Sequence, residues 1–381
     1  MTRLRMGALG LAVVLVLPGC TAGRSSTPTP GTPRVTTTSS PSTLLASGEP
    51  LPPGCNRERP SAAQTVAFVA EGRAWALDPG GGTLTCLFKT TEPGPFIWGP
   101  LGDRVLLGGL RVRGTAPGAP ARGAEGPQAA VADWGHPVGI AIVFAEAGAN
   151  TPEKLFLEDD RIESLRTLPN AKYLDIAYHP SGLALAFIIE RGGRQSIWFS
   201  TNEGKDAKRL VFSKTGTRFT HVAFSHDGRS LLYTAEHAEG FGQVHSIDLT
   251  EPGRILEGWK SQDGQFVRGL FEAPHGRGFA VNLGESCETS RALALAGRND
   301  HLALPDEERP TSIVGWLDPA TLLVAAGGCG KPLDLFSVDF RGGAPVLLVS
   351  GVDAAASRAP APKAPSSLPK EVQLDTGSGA G

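Results

Sequence analysis

A turn that recurs about every 45 residues constrains the fold of this chain more than any other feature of its sequence. Residues 136–144 align without gaps on residues 179–187, and residues 225–233 continue the series. Equivalent turn positions lie at residues 102, 139, 182, 228, 276 and 320, at intervals of 37, 43, 46, 48 and 44. A period of this size predicts that one supersecondary unit is repeated along the chain.

Each unit consists of short apolar strands separated by tight turns. In one unit Val222-Ala223-Phe224 precedes the turn, a second apolar strand follows it, and two further strands are predicted over 243–249 and 254–258. Four antiparallel strands in some 45 residues are the size of one propeller blade. Because a single blade cannot bury both of its faces, the sequence predicts an all-β fold, a β-propeller whose blades pack around a common axis.

The number of blades follows from the repeats and from the start of the domain. Six turns predict six units, and residues 65–70, 73–77 and 83–88 look like three further strands. We expect the opposite end of the chain to supply the fourth strand and so close the ring. Seven blades are therefore expected, with six as the alternative. Residues 114–127 are rich in Gly, Ala and Pro, and we expect a loop there in place of outer strands.

Two copies of the turn resemble a known family of repeats. Residues 176–182 (IAYHPSG) and 222–228 (VAFSHDG) are similar to the aromatic-Ser-Pro-Asp-Gly turn of TolB-like propeller repeats, relatives of the WD type. His226 replaces the Pro in one copy, and Ser181 replaces the Asp in the other. The resemblance extends over about 65–350, and it implies a propeller fold.

The N-terminus has the pattern of an export signal. Arg3 and Arg5 precede an apolar run over 8–17, which is half of the roughly 20 residues that a membrane-spanning helix needs. The following Leu17-Pro18-Gly19-Cys20 resembles the lipobox of bacterial lipoproteins, although Pro18 departs from the usual small residue. The resemblance implies cleavage before Cys20 and a diacylglyceryl group on its sulfur. The alternative is an ordinary signal peptide in which Cys20 is incidental.

These segments divide the chain into four parts. Residues 1–20 are the predicted lipoprotein signal peptide, and residues 21–54 are a Ser/Thr/Pro-rich tether that we expect to be disordered. Residues 55–353 form the predicted propeller, and residues 354–381 form an Ala/Pro/Ser/Gly-rich tail that we also expect to be disordered. Lipidation would anchor the domain to the cell membrane, facing outside the cytoplasm.

Four cysteines remain once Cys20 is set aside. An even number of cysteines in an exported chain favours two disulfides over the alternative of a zinc site, since no C-x-x-C pair exists. Cys287 and Cys329 fall between the second and third strands of neighbouring blades, on the same rim. We expect them to bond to each other, and we expect Cys55 to bond to Cys86 and pin the tether to the first blade.

Charge and motifs narrow the choice of function. The chain has 36 basic and 38 acidic residues, and this near-neutral balance argues against nucleic acid as a partner. No G-x-S-x-G or H-E-x-x-H motif is present, and Lys214-Thr215-Gly216 matches the K-T-G triplet of penicillin-binding enzymes without the accompanying motifs. We expect no metal and no cofactor. His221 is a candidate polar contact in the central channel.

The leading hypothesis is a non-catalytic binding or scaffolding module for a protein, a peptide or an envelope component, since function on such folds resides in loops. The alternative is an enzyme that acts on envelope glycan or small molecules through channel-facing His and acidic residues. A structural part of a larger envelope complex is a third hypothesis. The oligomeric state is open, with a monomer as the expectation.

Overall fold

The computed structural model of the chain describes part of residues 43–358. The residues between these limits that it leaves undescribed are 56–58, 81, 91–96, 100–102, 108–110, 116–120, 123–128, 135–140, 147–148, 157–160, 167, 252–254, 263, 275–277 and 296–307. The described residues form seven antiparallel sheets and contain no helix. Within this part of the chain, no helix is therefore long and apolar enough to cross a bilayer.

The strands are numbered in chain order. The first fourteen are β1 (Leu44–Leu45), β2 (Val66–Ala70), β3 (Arg73–Leu77), β4 (Leu84–Lys89), β5 (Ile97–Trp98), β6 (Arg104–Leu107), β7 (Arg111–Gly114), β8 (Ala121–Arg122), β9 (Ala129–Trp134), β10 (Ala141–Glu146), β11 (Glu153–Phe156), β12 (Ile162–Ser164), β13 (Lys172–Tyr178) and β14 (Ala184–Arg191). The others are β15 (Arg194–Thr201), β16 (Lys208–Phe212), β17 (Thr217–Phe224), β18 (Ser230–His237), β19 (Gly242–Asp248), β20 (Ile255–Lys260), β21 (Val267–Glu272), β22 (Phe279–Leu283), β23 (Arg291–Leu295), β24 (Thr311–Trp316), β25 (Thr321–Ala326), β26 (Leu333–Asp339), β27 (Val346–Val352) and β28 (Ala354–Ser357).

The sheets, numbered I to VII along the chain, follow one plan. Sheets II, III, IV and V contain β5–β8, β9–β12, β13–β16 and β17–β20, each with its strands paired in sequence order. Sheet I has the order β28-β2-β3-β4, and sheet VII has the order β24-β25-β26-β27-β1. Sheet VI contains β21, β22 and β23. Six sheets have four or more strands and sheet VI has three within the described residues, so the expectation of seven blades is not confirmed.

The first strands of the sheets lie side by side around one axis. β13 contacts β9 on one side and β17 on the other, and β17 in turn contacts β21. β24 contacts β21 and β28, and β28 contacts β5. The sheets therefore radiate from a ring of inner strands, which confirms the prediction of an all-β propeller.

Apolar side chains fill the space between neighbouring sheets. Between sheets IV and V, Ile188 and Phe199 pack with Phe219, Phe224 and Leu231, all at most 8% exposed. The rings of Phe199 and Phe224 meet edge to face with their centroids 6.2 Å apart. Each strand presents bulky apolar residues to the next sheet, and this burial is the main force that stabilises the ring.

The repeated turn depends on glycine at one position. Gly182 and Gly228 have φ angles of 72° and 70°, in the left-handed region that residues with a Cβ rarely adopt. In the second turn Ser225 Oγ donates to Asp227 Oδ1 over 2.7 Å, and the Ser230 N–H donates to Ser225 Oγ over 2.8 Å. The turns at 102, 139 and 276 lie outside the described residues.

The C-terminal end of the domain closes the ring. β28 pairs with β2, so that Ser357 lies opposite Val66 and Ala354 lies opposite Val69. This pairing confirms that the far end of the chain supplies the missing strand. The prediction of a disordered tail that begins at residue 354 is wrong, because Ala354–Ser357 form β28. Gly315 of β24 lies so close to β28 that a Cβ on it would overlap the Ser357 hydroxyl. Small residues therefore suit the contact between these two strands.

The tether also contributes to the fold at its end. Leu44 and Leu45 form β1 and pair with Ser350 and Val349 at the outer edge of sheet VII, while Leu51 is only 5% exposed and joins the core between sheets I and VII. The expectation of disorder is therefore wrong for the last part of 21–54, where Leu51 buries apolar surface and Leu44 and Leu45 pair with a sheet edge.

The Gly/Ala/Pro-rich segment 114–127 differs from expectation in the same way. Ala121 and Arg122 form the short outer strand β8, in which Arg122 pairs with Val112 and Ala121 pairs with Arg113. Sheet II therefore keeps four strands, and the predicted replacement of its outer strands by a loop is wrong.

Candidate binding groove

The two faces of the ring carry different connections. One face holds the turns between first and second strands, where Gly182 and Gly228 lie. The other face, which we call the groove face, holds the turns between second and third strands and the connections from each sheet to the next. Because every sheet runs in the same direction from the axis, residues 192–193, 213–216 and 238–241 all lie on the groove face.

A cavity of about 880 Å³ opens on the groove face where sheets IV and V meet. Its wall on sheet IV includes Arg194 at the start of β15 and Phe212 at the end of β16. Its wall on sheet V includes Arg218 near the start of β17 and Glu236-His237 at the end of β18. The size lies within the range of pockets that hold small ligands or short peptide segments.

Hydrogen bonds between the sheets fix the floor of this groove. The Gln195 N–H donates to Ser213 Oγ over 3.1 Å, and Gln195 Oε1 accepts a bond of 2.5 Å from the Phe219 N–H. The Ala238 N–H donates to the Gly216 carbonyl oxygen over 2.7 Å. The connection over 213–216 is thus held from both sides, so the groove is formed before any ligand arrives.

Cations dominate the charged residues of the groove. Arg194, Lys214 and Arg218 are exposed, whereas Glu236 is the only carboxylate in the lining. Among the described residues, the side chains of Lys214 and Arg218 make no hydrogen bond or ion pair. The groove is therefore locally basic, although the chain as a whole has a formal charge of −2.

Aromatic rings lie beside these cations. Phe212 is 40% exposed, and the guanidinium carbon of Arg194 lies 5.5 Å from the centre of its ring. The His237 imidazole stacks on Phe241 with a centroid distance of 4.4 Å, and Lys260 Nζ lies 3.6 Å from the centre of the Phe241 ring. These contacts hold flat apolar and charged surfaces side by side at the groove.

Two polar atoms at the groove are shielded from solvent and lack a partner. Glu236 Oε1 and His237 Nε2 make no hydrogen bond to any described residue. A buried polar group without a partner costs roughly 1–3 kcal/mol.

His221 lies on the innermost strand of sheet V, next to sheet IV. Its Nδ1 is 3.7 Å from Asp175 Oδ2 on β13, and its side chain is 33% exposed. Asp175 Oδ2 also accepts a 2.8 Å hydrogen bond from the Val222 N–H, so this carboxylate links two inner strands. No group of three His, Cys, Asp or Glu residues that could hold a metal occurs in the described part of the chain.

The cysteines pair as the sequence predicts. Cys55 bonds to Cys86 on β4 with a Cα–Cα distance of 4.9 Å, and Cys287 bonds to Cys329 with a distance of 5.4 Å. The second bond joins the β22–β23 turn of sheet VI to the β25–β26 turn of sheet VII, on the groove face. Cys20 lies outside the described residues.

Buried titratable groups occur on the opposite face. The Glu272 carboxylate accepts a hydrogen bond from the His226 N–H of the repeated turn in sheet V, and burial raises the pKa of Glu272 to about 8. Burial lowers the pKa of His179, which is fully buried in the turn of sheet IV. These groups link neighbouring turns and do not reach the groove.

Sequence inspection did not single out the groove. No sequence pattern distinguishes Arg194, Arg218 or Glu236 from other polar positions. Lys214 belongs to the K-T-G triplet, which lacks the accompanying motifs of penicillin-binding enzymes. Their proximity depends on strand register, which places Arg218 opposite Glu236 and Thr217 opposite His237.

Comparisons with known proteins identify the fold and leave the family open. No model of a known protein family matches the chain, and no curated protein matches it. Among solved structures, it is similar to the β-propeller domain of Myceliophteria thermophila Cps50 (Swd1), with 14% identity and a TM-score of 0.50, covering 71% of this chain and 94% of that one.

Two further solved structures are similar. One comes from a study of two prolyl endopeptidases, with 13% identity and a TM-score of 0.55, and the match covers 77% of this chain. The chain spans half the length of that enzyme chain. The other is TolB from Acinetobacter baumannii, with 12% identity and a TM-score of 0.47, covering 79% of this chain and 68% of that one. At these identities the likeness concerns the propeller fold alone.

Proposed function

We propose that this protein is a non-catalytic binding module, exported and held at the cell membrane by a lipid on Cys20. The observation that carries the proposal is the preformed groove between sheets IV and V, which combines unpaired cations, an exposed aromatic ring and two shielded polar atoms without partners. Such a surface can hold a partner without any reacting group.

The described end of the tether is held on the groove face of the propeller. Thr43 Oγ1 donates to the Gly351 carbonyl oxygen over 2.8 Å, and the Thr43 N–H donates to Glu71 Oε1 over 3.4 Å. Both partners of Thr43 lie on the groove face. Gly351 is near the end of β27, where the chain passes from sheet VII to sheet I, and Glu71 is in the turn between β2 and β3. Residues 21–42 can extend at most roughly 75 Å, which bounds the distance between a lipid on Cys20 and the propeller.

The alternative of a propeller enzyme has less support. His221 and Asp175 form one His–carboxylate pair at the inner strands, and we propose that His221 contacts a ligand or water in the central channel. An enzyme of the hydrolytic type needs a nucleophile or activated water beside such a pair. The described residues around it offer the backbone contacts of Asp175 and a hydrogen bond from the His221 N–H to Thr234 Oγ1, which are structural contacts.

The finer architecture is also a proposal. We propose that sheet VI is the seventh blade, which would make the ring seven-bladed, and that the protein is a monomer. The contacts of β21 with β17 and β24 support the first proposal, since they place sheet VI in the ring like the other sheets.

Site-specific photo-crosslinking in cells tests the binding function. A photoreactive phenylalanine analogue would replace Phe212 at the groove or, as the control, Val346, which is 57% exposed at the start of β27. We expect one discrete adduct at position 212 and none at 346, measured by immunoblot and mass spectrometry. Equal adducts at both positions, or adducts at 346 alone, would contradict binding at the groove.

A further inference from the structure

We infer that the groove between sheets IV and V binds an extended acidic peptide that carries an apolar side chain. The inference rests on the proposed binding function and names the chemistry of the partner. It follows from three properties of the groove: the sign of its charge, the position of its apolar surface and the single carboxylate among its described lining residues.

Charge selects an anionic partner. Arg194 and Lys214 lie on or next to the sheet IV side of the groove, and Arg218 lies on the sheet V side, so cations flank it on both walls. Neither Lys214 nor Arg218 forms an ion pair among the described residues, and the carboxylate that shares the groove with them, Glu236, is outnumbered by the cations. An acidic segment lying between the walls would meet cations on each side, and complementary charge of this kind selects partners and speeds their encounter.

The floor and rim favour a peptide over a simple polyanion. Glu236 places a carboxylate in the groove wall, and a phosphate or carboxylate ligand would bring only like charge to it. An extended peptide can place its neutral backbone at this wall and its acidic side chains beside the cations. Phe212, which is exposed beside Arg194, offers an apolar contact that an uninterrupted run of acids would not use.

Fluorescence anisotropy on the full-length protein in detergent tests this inference. The probe is a labelled peptide of about ten residues in which Glu and Gly alternate around one central Phe, and its counterpart has Lys at every Glu position. We expect binding of the acidic peptide alone, weakened by added salt because exposed charges are screened. Arg218→Glu should weaken binding at least about tenfold, which is the effect of one reversed charge pair in a favourable setting.

Arg229→Glu provides the matched control, because Arg229 is exposed on the same sheet but on the opposite face. We expect it to change the affinity by less than about twofold, and Arg218→Lys to retain most of the affinity. Equal losses in Arg218→Glu and Arg229→Glu would overturn the inference, as would equal binding of the Lys peptide.

The remaining outcomes separate this inference from the proposed function. If position 212 crosslinks to a partner but the acidic peptide does not bind, the groove is a binding site and the peptide chemistry is wrong. If vesicles of phosphatidylglycerol bind through Arg218 and the peptide does not, the occupant is a membrane surface and the inference fails. If position 212 gives no adduct, the binding function itself fails.

Discussion

The imidazole Nε2 of His179 lies 2.9 Å from the carbonyl oxygen of Gly228. The Ser181 N–H donates to His179 Nδ1 over 3.1 Å, so Nδ1 is an acceptor and the proton resides on Nε2. His179 therefore donates from the repeated turn of sheet IV to the repeated turn of sheet V. The side chain is fully buried and also meets the Phe224 ring edge to face at 4.9 Å, so one residue joins two sheets by polar and apolar contacts.

His179→Ala should destabilise the propeller. The substitution leaves the Gly228 carbonyl oxygen without its partner in a buried site and opens a cavity against Phe224, which together should cost about 2–4 kcal/mol. Chemical denaturation followed by tryptophan fluorescence measures this loss. His179→Gln, whose amide can donate to the same oxygen, should recover part of it, and an unchanged denaturation midpoint in the Ala variant would show that the link is dispensable.

The same histidine should make stability depend on acidity. Burial lowers the pKa of His179 in the folded state below its unfolded value, so the unfolded chain binds the extra proton more readily. Stability should therefore fall as the pH drops below about 6.5, where the unfolded histidine becomes charged. Thermal melts across this range should show a smaller dependence for His179→Gln than for the wild type.

Glu272 should contribute a pH dependence of opposite sign. Its folded pKa of about 8 lies above the unfolded value, so the folded state holds a proton that the unfolded state has lost. Stability should fall as the pH rises from about 4.5 to about 8. Glu272→Gln should remove this slope in thermal melts, and its melting temperature should exceed that of the wild type at about pH 9. A slope equal to that of the wild type would contradict the assignment.

The disulfide between sheets VI and VII should stabilise the ring. Cys287 and Cys329 are 42 residues apart, and closing a loop of this size in the unfolded chain contributes about 2–4 kcal/mol. The double replacement by Ser should lower the free energy of unfolding by that amount under non-reducing conditions. A reducing buffer also breaks the Cys55–Cys86 bond, so the wild type should lose more stability on reduction than the double variant does, by the contribution of Cys287–Cys329. Equal losses in both proteins would argue against the bond.

Ring closure should depend on β28. A chain that ends after Asp353 lacks the inner strand of sheet I and exposes β2, so we expect it to melt at a clearly lower temperature or to aggregate. A chain that ends after Arg358, whose N–H donates to the Thr65 carbonyl oxygen over 2.8 Å, should melt like the full-length protein. Similar melting of both chains would show that β28 is not needed for closure.

Much of the architecture could be predicted from local sequence because each unit is built from local contacts. The strand over 73–77 has the bounds that its apolar pattern predicts. β17, in contrast, begins at Thr217 and not at Val222, and of its first five residues only Phe219 is apolar and buried. Tertiary pairing with β18 extends the strand where propensity alone would end it.

Short segments of low apolar content were predicted less well. Ala354–Ser357 and Leu44–Leu45 resemble in composition the tail and the tether for which disorder is predicted, yet each pairs with a strand roughly 300 residues away. Such pairing depends on an edge that another part of the chain provides. The composition of the segment therefore does not indicate whether such an edge is available.

The amino-acid sequence by itself determined the repeated unit, the closed ring and the two cysteine pairs, because the spacing of turns fixes the size of a blade and blades can bury their faces only by packing together. The tertiary structure decided the groove. Arg194, Arg218 and Glu236 come together only through strand register and the contact between sheets IV and V, and side chains brought together by distant segments leave no local pattern in the sequence.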